Sequence, residues 1–162
     1  MKKLLIGMAI ATTAVYGTYK VTRSDVPAAS GVNLAQDRIW IDHIPKNDRD
    51  TMQIFLALTS DPFGIFSAAS QWAGKHEIFQ YEMTSEQMRL VFPQNGDKEK
   101  VTAKAKQCDE GGFDFCLELS GNSRGVKKYY SMDGWEVDHL SPEQARAKAD
   151  SVVKQLELKL AK

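Results

Sequence analysis

Between residues 74 and 130, apolar and polar residues alternate in successive runs separated by strong turn signals. The alternation is clearest in residues 98–106, where Val101, Ala103 and Ala105 share one side and lysines occupy most of the other. A period of two residues is typical of a β-strand with one buried face. Neighbouring runs of the same kind, joined by short polar connections, predict an antiparallel meander.

The same pattern extends beyond that segment in both directions. Asp61-Pro62, Asn95-Gly96 and Asp133-Gly134 are dipeptides that favour turns. The strand-like runs are residues 38–44, 51–59, 65–72, 74–84, 87–92, 98–106, 113–119, 126–131 and 135–138. From these nine runs we predict seven or eight short strands in meander order.

The last twenty or so residues have a helical period instead. Ser141 suits the N-cap position, Pro142 the first helical position, and Gln144 completes a capping box. The apolar positions that share one helical stripe are Ala145, Ala149, Val152, Val153, Leu156 and Leu160. We expect this amphipathic helix to pack on the second face of the strands at 51–59 and 65–72.

Together these elements predict a mostly β fold with one C-terminal amphipathic α-helix packed on it. The antiparallel meander of seven to eight strands forms a strongly curved sheet or a small barrel, since closure removes exposed strand edges. The arrangement resembles lipocalin-like barrels in outline only. Their Gly-x-Trp signature is missing, because residues 37–40 read Asp-Arg-Ile-Trp, and no family is assigned. A sandwich or an open sheet is the alternative.

The N-terminus has the plan of an export signal. Lys2 and Lys3 precede a charge-free apolar stretch at residues 4–15. We predict a signal peptide or N-terminal membrane anchor at residues 1–17, a flexible linker at 18–37 and a single domain at 38–162. The protein would then be periplasmic or secreted, or anchored to the inner membrane of a bacterium if the leader is not cleaved. The length of 162 residues fits one domain, and a formal net charge of zero gives no indication of nucleic-acid binding.

The two cysteines carry the most specific chemical signal. Cys108 and Cys116 flank a short stretch that contains Gly111 and Gly112, as in a hairpin loop. In an exported protein such a pair oxidises, and the spacing does not match a Cys-x-x-Cys redox or zinc motif. We predict a structural disulfide.

Local catalytic and metal-binding motifs are missing from the sequence. His43, His76 and His139 are far apart, and each stands beside a carboxylate that would point to the opposite face of a strand. There is no His-Glu-x-x-His helix and no Gly-x-Ser-x-Gly elbow. We therefore predict no catalytic residue, no metal and no cofactor, and we interpret the lysines at 98, 100, 104 and 106 as a solvated face.

The nearest approach to a functional site is a run of small residues, Ser67, Ala68, Ala69 and Ser70, which leaves space on both faces of a strand. The candidate ligand-binding residues are Ala68, Ala69, Trp72, Phe79 and Tyr81. The competing interpretation is that small residues compensate for large aromatics in the core. We predict a non-enzymatic binding module of the bacterial cell envelope that holds a small apolar ligand or binds a protein partner. An extracytoplasmic enzyme of unrecognised type is the alternative.

Overall fold

A computed structural model describes residues 31–60, 62–70, 72–85, 87–137, 139–140, 144, 147–148, 151–152, 154–156 and 158. This part of the chain is mostly β and forms a closed antiparallel barrel of eight strands with few short helices. The predicted leader at residues 1–17 lies outside the described residues. Of the predicted linker, residues 18–30 lie outside them as well.

Each strand pairs with the next one along the chain. The strands are β1 (Trp40–Ile41), β2 (Met52–Ala57), β3 (Phe63–Ala69), β4 (Gly74–Met83), β5 (Gln87–Val91), β6 (Lys98–Glu110), β7 (Phe113–Ser120) and β8 (Lys128–Ser131). The ring closes where Ile41 of β1 pairs with Tyr130 of β8. The predicted meander is confirmed, and of the predicted alternatives the closed barrel is the one observed.

The predicted strand at 135–138 is wrong for residues 135–137, the part that the structure describes. Glu136 forms an isolated bridge with Arg38, and Trp135 is buried outside the barrel interior. The reason is that β8 already closes the ring on β1. The chain after Ser131 therefore has no free strand edge to join.

Aromatic side chains fill the barrel interior. Phe55, Phe66 and Phe79 lie with ring centroids 5.1 to 6.1 Å apart, and Phe92 meets Phe79 edge to face. The remaining buried members of this core are Ala35, Trp40, Ala57, Tyr81, Met88, Leu90, Val101, Ala103, Ala105, Phe115, Leu117, Leu119 and Tyr129. Such packing accounts for the alternation in the sequence, because every second residue of each strand points inward.

The short helix α1 (Val32–Ala35) packs at one end of the barrel. Trp40 donates its indole N–H to the carbonyl oxygen of Ala35 at 2.9 Å, and Gln36 donates to the hydroxyl of Tyr81 at 2.7 Å. Arg38 stacks on Phe115 at 3.9 Å. Residues 31–37, which we predicted as the end of a linker, therefore belong to the folded domain, since their polar groups and Ala35 find partners inside it.

A second apolar cluster lies on the outside of the barrel. Val152 and Leu156, which belong to the described helical residues near the C-terminus, are buried there with Ile41, Phe113 and Trp135. Met52 and Ile54 of β2 pack against the same cluster. Ala145, Ala149, Val153 and Leu160, the other positions of the predicted stripe with Val152 and Leu156, lie outside the residues whose side chains are described.

Candidate functional site

A pocket of about 270 Å³ opens at the barrel end opposite α1. It lies at the ends of β2, β3 and β4, on the side that faces the barrel interior. The loop between β7 and β8 covers it from above. Its polar and small lining residues are Gln53, Ser67, Ala68, Lys75, Glu77, Ser123 and Arg124. We call this the mouth pocket. Most of these side chains are polar, and Arg124 among them is largely shielded from solvent.

Arg124 is the centre of the mouth pocket. Its Nε donates to a carboxylate oxygen of Glu77 at 2.8 Å, and its Nη1 donates to Glu99 at 2.9 Å. Only 13% of the arginine side chain is exposed. The guanidinium also lies 4.1 Å from the ring centre of Phe66 and 4.6 Å from that of Phe92. It therefore covers the aromatic interior with one face while its edge binds two carboxylates, an arrangement that suits its planar fork.

The loop between β7 and β8 holds Arg124 in this position. The side-chain amide of Asn122 donates to the carbonyl oxygens of Leu119 and Val126, and its oxygen accepts from the backbone N–H of Arg124. Gly121 adopts φ +86°, and a Cβ there would lie 2.7 Å from the carbonyl oxygen of Lys100. Only glycine tolerates both the backbone angle and the close approach.

Glu77 is shared between two cations at the rim of the pocket. Lys75 lies 3.2 Å from one of its oxygens, and Arg124 binds the other. Burial alone would raise the pKa of Glu77, but Lys75 and Arg124 outweigh it, so that the pKa is lowered. The carboxyl is thus held ionised, and the charges of the cluster balance: Lys75 and Arg124 against Glu77 and Glu99.

The five residues predicted as ligand-binding candidates do not come together. Ala68 lines the mouth pocket, whereas Ala69 points to the outer surface, as its pairing with Met52 requires. Trp72 lies in the turn between β3 and β4 and is 76% exposed. Phe79 and Tyr81 are buried in the aromatic interior. Of the five residues, Ala68, Ala69 and Trp72 are thus at the same end of the barrel as the pocket, and Ala68 alone lines it.

A larger groove of about 440 Å³ lies on the outer surface beside Pro62, Phe63 and Val91. Among the described residues of its lining, Glu82 is the one charged residue, and it is exposed and paired with Arg89. A concavity without a buried charge or a convergent set of polar groups is a poorer binding-site candidate than the smaller mouth pocket.

The prediction that His43 and Asp42 would point to opposite faces is wrong. Both ring nitrogens of His43 face carboxylates, with Nδ1 2.9 Å from Asp42 and Nε2 3.2 Å from Asp50. The two residues lie in a bend after β1, not in a strand, so the strand rule does not apply. Asp42 also accepts from the backbone N–H of Gln53, and Asp50 from that of Lys46. His43 therefore stabilises the loop between β1 and β2, and both of its ring nitrogens are already engaged by carboxylates.

The disulfide prediction is confirmed, because Cys108 and Cys116 are bonded to each other across the β6–β7 hairpin. Among the described residues, no group of three histidine, cysteine, aspartate or glutamate side chains could hold a metal ion. Within the same residues, no helix is long and apolar enough to cross a membrane.

Comparison with protein-family models, with curated protein sequences and with solved structures finds no match to this chain. The candidate site therefore rests on the geometry of the barrel mouth alone.

The sequence carries a signal for the mouth pocket in the positions of two carboxylates. Glu77 has the same strand parity as the inward-facing Phe79 and Tyr81, and Glu99 the same parity as Val101. A charged residue on the apolar side of a strand, near its end, indicates a polar group at a barrel mouth. The position of Arg124 carried no such signal, because loop residues have no periodicity.

Proposed function

We propose that this protein is a non-enzymatic binding module that holds a small polar ligand at the mouth of its barrel. The observation that carries the proposal is the mouth pocket, where the largely shielded Arg124 binds two carboxylates and the small side chain of Ala68 leaves space. Concave sites with a few convergent polar groups are where small molecules bind. The pocket, at about 270 Å³, suits a ligand smaller than a typical drug molecule.

A polar ligand at the mouth is better supported than an apolar ligand in the interior. The positions that would line an interior cavity, Phe55, Phe66 and Phe79, pack against one another instead. Arg124 lies across two of the rings that face the mouth. An apolar ligand would have to displace that guanidinium from both of its carboxylate partners, which leaves charges buried and unpaired.

The positions of His43 and His76 support a non-enzymatic role. His43 has carboxylates on both nitrogens, and His76 is exposed on the outer face of β4. General base catalysis needs a group within hydrogen-bond reach of a substrate proton. Neither histidine lines the mouth pocket.

We place this activity in the bacterial cell envelope, outside the cytoplasm, on the strength of Lys2, Lys3 and the apolar stretch that follows them. A disulfide is compatible with that compartment. The intact mass of protein from a cell-envelope fraction tests cleavage near residue 17, and full-length protein in the cytosol would contradict export.

We also propose that residues 141–160 form one amphipathic helix on the outside of the barrel. The burial of Val152 and Leu156 supports this proposal.

A second candidate function is binding of a protein partner through the outer surface. Leu56, Ile65 and Ile78 are neighbours on the outer faces of β2, β3 and β4, and Ile78 is 52% exposed. Across β5, Val91 pairs with Lys98 at the start of the lysine row. A partner of this kind would present an apolar patch bordered by carboxylates. A photo-crosslinking residue at position 78 should then trap one protein, whereas the same residue at position 127 should not.

The mouth proposal is tested by screening isotope-labelled protein with sugars, amino acids, nucleosides and small carboxylic acids by two-dimensional NMR. Ligands should shift the backbone amide signals of Gln53, Ala68 and Lys75. Ala68→Leu should block the pocket, while the matched variant Ala69→Leu places the same bulk on the outer face and should leave binding intact. Shifts that cluster elsewhere, or no shifts from any compound, would contradict the proposal.

A further inference from the structure

We propose that the ligand of the mouth pocket is a neutral saccharide, bound by hydrogen bonds in the pocket and by stacking on Trp72. This inference rests on the proposed function, and it names the chemical class of ligand for the same site.

The first argument is charge. Each cation that lines the mouth pocket already has a carboxylate partner: Lys75 has Glu77, and Arg124 has Glu77 and Glu99. An anionic ligand would have to compete with these carboxylates, and a cationic one with Lys75 and Arg124. The balanced cluster therefore selects against a net charge on the ligand.

The second argument is hydrogen-bonding character. Within a small volume the pocket presents the acceptor oxygens of Glu77, the donor hydrogens of Lys75 and the amide of Gln53, which has both. Only 13% of the Arg124 side chain is exposed, but 78% of the Lys75 side chain is, so the lysine can reorient toward a ligand. A hydroxyl group can donate one hydrogen bond and accept another. A sugar ring that carries several hydroxyl groups therefore matches a surface that presents both donors and acceptors.

The third argument is Trp72. The other tryptophans, Trp40 and Trp135, are fully buried, whereas Trp72 is 76% exposed in the turn that joins β3 to β4. The two strands of this hairpin contribute Ala68 and Lys75, which pair with each other, to the mouth pocket. A hydrogen bond joins the two ends of this turn, because the backbone N–H of Ser70 donates to the carbonyl oxygen of Ala73 at 2.8 Å.

An exposed indole in the turn of a hairpin whose strands line a polar pocket is suited to sugar rings. The C–H groups on one face of a pyranose carry partial positive charge, and they stack on the electron-rich face of an aromatic ring. The pocket has room for a ring of modest size, and further rings of the same chain would extend over the hairpin. Trp72 would thus contact a ring next to the one held by hydrogen bonds.

The test is tryptophan fluorescence of the purified protein titrated with maltotriose, cellotriose and tri-N-acetylchitotriose. Because Trp72 is the tryptophan in contact with solvent, at least one of these sugars should shift the emission to shorter wavelength in a saturable way. Sugar concentrations up to about 10 mM occupy even a site of millimolar Kd. Affinity should be the same at low and high salt, since no net charge is recognised.

Variants separate the contributions, with isothermal titration calorimetry as the readout that does not depend on Trp72. Trp72→Ala and Ala68→Leu should each weaken binding at least 10-fold, and Ala69→Leu, on the outer face, should leave it unchanged. Saturable binding that Trp72→Ala does not weaken would overturn the role of this residue.

The outcomes also distinguish the two proposals. If none of the three sugars binds while another class of molecule shifts the amides of Gln53 and Lys75, the saccharide inference is wrong and the mouth site stands. If neither sugars nor any screened compound affects those amides, both are wrong.

Discussion

Gly64 lies directly opposite Phe79 across β3 and β4, and the missing side chain of the glycine is the space that the phenylalanine ring occupies. A Cβ at Gly64 would lie 2.3 Å from Cζ of Phe79 and 2.3 Å from the carbonyl oxygen of Leu56. Gly64 thus compensates for one large aromatic residue of the core. Ala68, four residue pairs nearer the mouth, borders the mouth pocket instead.

Gly64→Ala should destabilise the protein by roughly 3 kcal/mol, at the upper end of the usual cost of overpacking, because one of the clashing atoms is backbone. The matched control is Gly74→Ala, also on a strand of this hairpin. There the nearest atom would be Nε2 of the exposed His76, at 3.3 Å. It should change the free energy of unfolding by less than about 0.5 kcal/mol, as surface substitutions usually do. Urea denaturation measures both, and equal stability of the two variants would contradict the packing argument.

Arg124→Met should lower stability by about 2 to 4 kcal/mol at neutral pH. Breaking a buried ion pair costs roughly 3 to 5 kcal/mol, and partial exposure of Glu77 and Glu99 reduces that figure. The loss should shrink in the triple variant Arg124→Met, Glu77→Gln, Glu99→Gln, which removes the unpaired charges as well. A single variant as stable as the wild type would show that the cluster contributes nothing.

The same substitution should change the response to acid. The pKa of Glu77 is lowered in the folded protein, so its contribution to stability is present above the unfolded value of 4.5 and is lost as pH falls below it. Removing Arg124 removes one cause of the lowered pKa. Wild type should therefore lose more stability than Arg124→Met between neutral pH and pH values below 4.5, which urea denaturation at each pH measures. Parallel curves would contradict the assignment.

Replacing both Cys108 and Cys116 by serine should cost somewhat less than the roughly 3 kcal/mol associated with a fifteen-residue loop, because this loop is shorter. Wild-type protein treated with reductant should match the variant in denaturation midpoint. Non-reducing mass spectrometry of the untreated protein should find no free thiol. If reductant does not change the denaturation midpoint of the wild type, the disulfide does not contribute to stability.

The sequence predicted the strands best where alternation was uninterrupted. The run at 74–84 became β4 and the run at 87–92 became β5 with small changes at the ends, because each has one face that is mainly apolar. The run at 38–44 contributed only Trp40 and Ile41 as a strand, since the following residues bend to let Asp42 and Asp50 bind His43. Alternation of side chains cannot reveal such a polar contact.

The candidate site was less predictable than the fold. The alternation of side chains places Glu77 and Glu99 on the inward faces of their strands. That both contact the same arginine depends on closure of the barrel, which alternation does not specify. Arg124 reaches them because Asn122 shapes the loop. The side chain of Asn122 bonds to residues three and four positions away, and the single-sequence pattern does not specify where that loop lies above the barrel.

The last prediction concerns alkaline pH and Tyr129, which is fully buried in the barrel interior. Burial raises the pKa of its phenol, and the charge of Asp42 raises it further, while Arg124 opposes the shift. The folded protein thus holds a neutral phenol at pH values where the unfolded chain ionises, and the associated stability is complete below the unfolded pKa of about 10.

As pH rises above about 10, the wild type should lose up to about 1.4 kcal/mol of stability per pH unit through this group alone. Tyr129→Phe keeps the ring in the core and gives up only a long contact of 3.4 Å between the hydroxyl and Gln53. It should be within about 1 kcal/mol of wild type at pH 8. Denaturation at increasing pH should then show that the variant becomes more stable relative to the wild type above pH 10. The reason is that its unfolded chain has no phenol at position 129 to ionise.

Tyr81→Phe serves as a comparison, since the pKa of Tyr81 is also raised, mainly by burial. If the curves of wild type and Tyr129→Phe stay parallel through this range, the phenol of Tyr129 is not protected from ionisation by the fold.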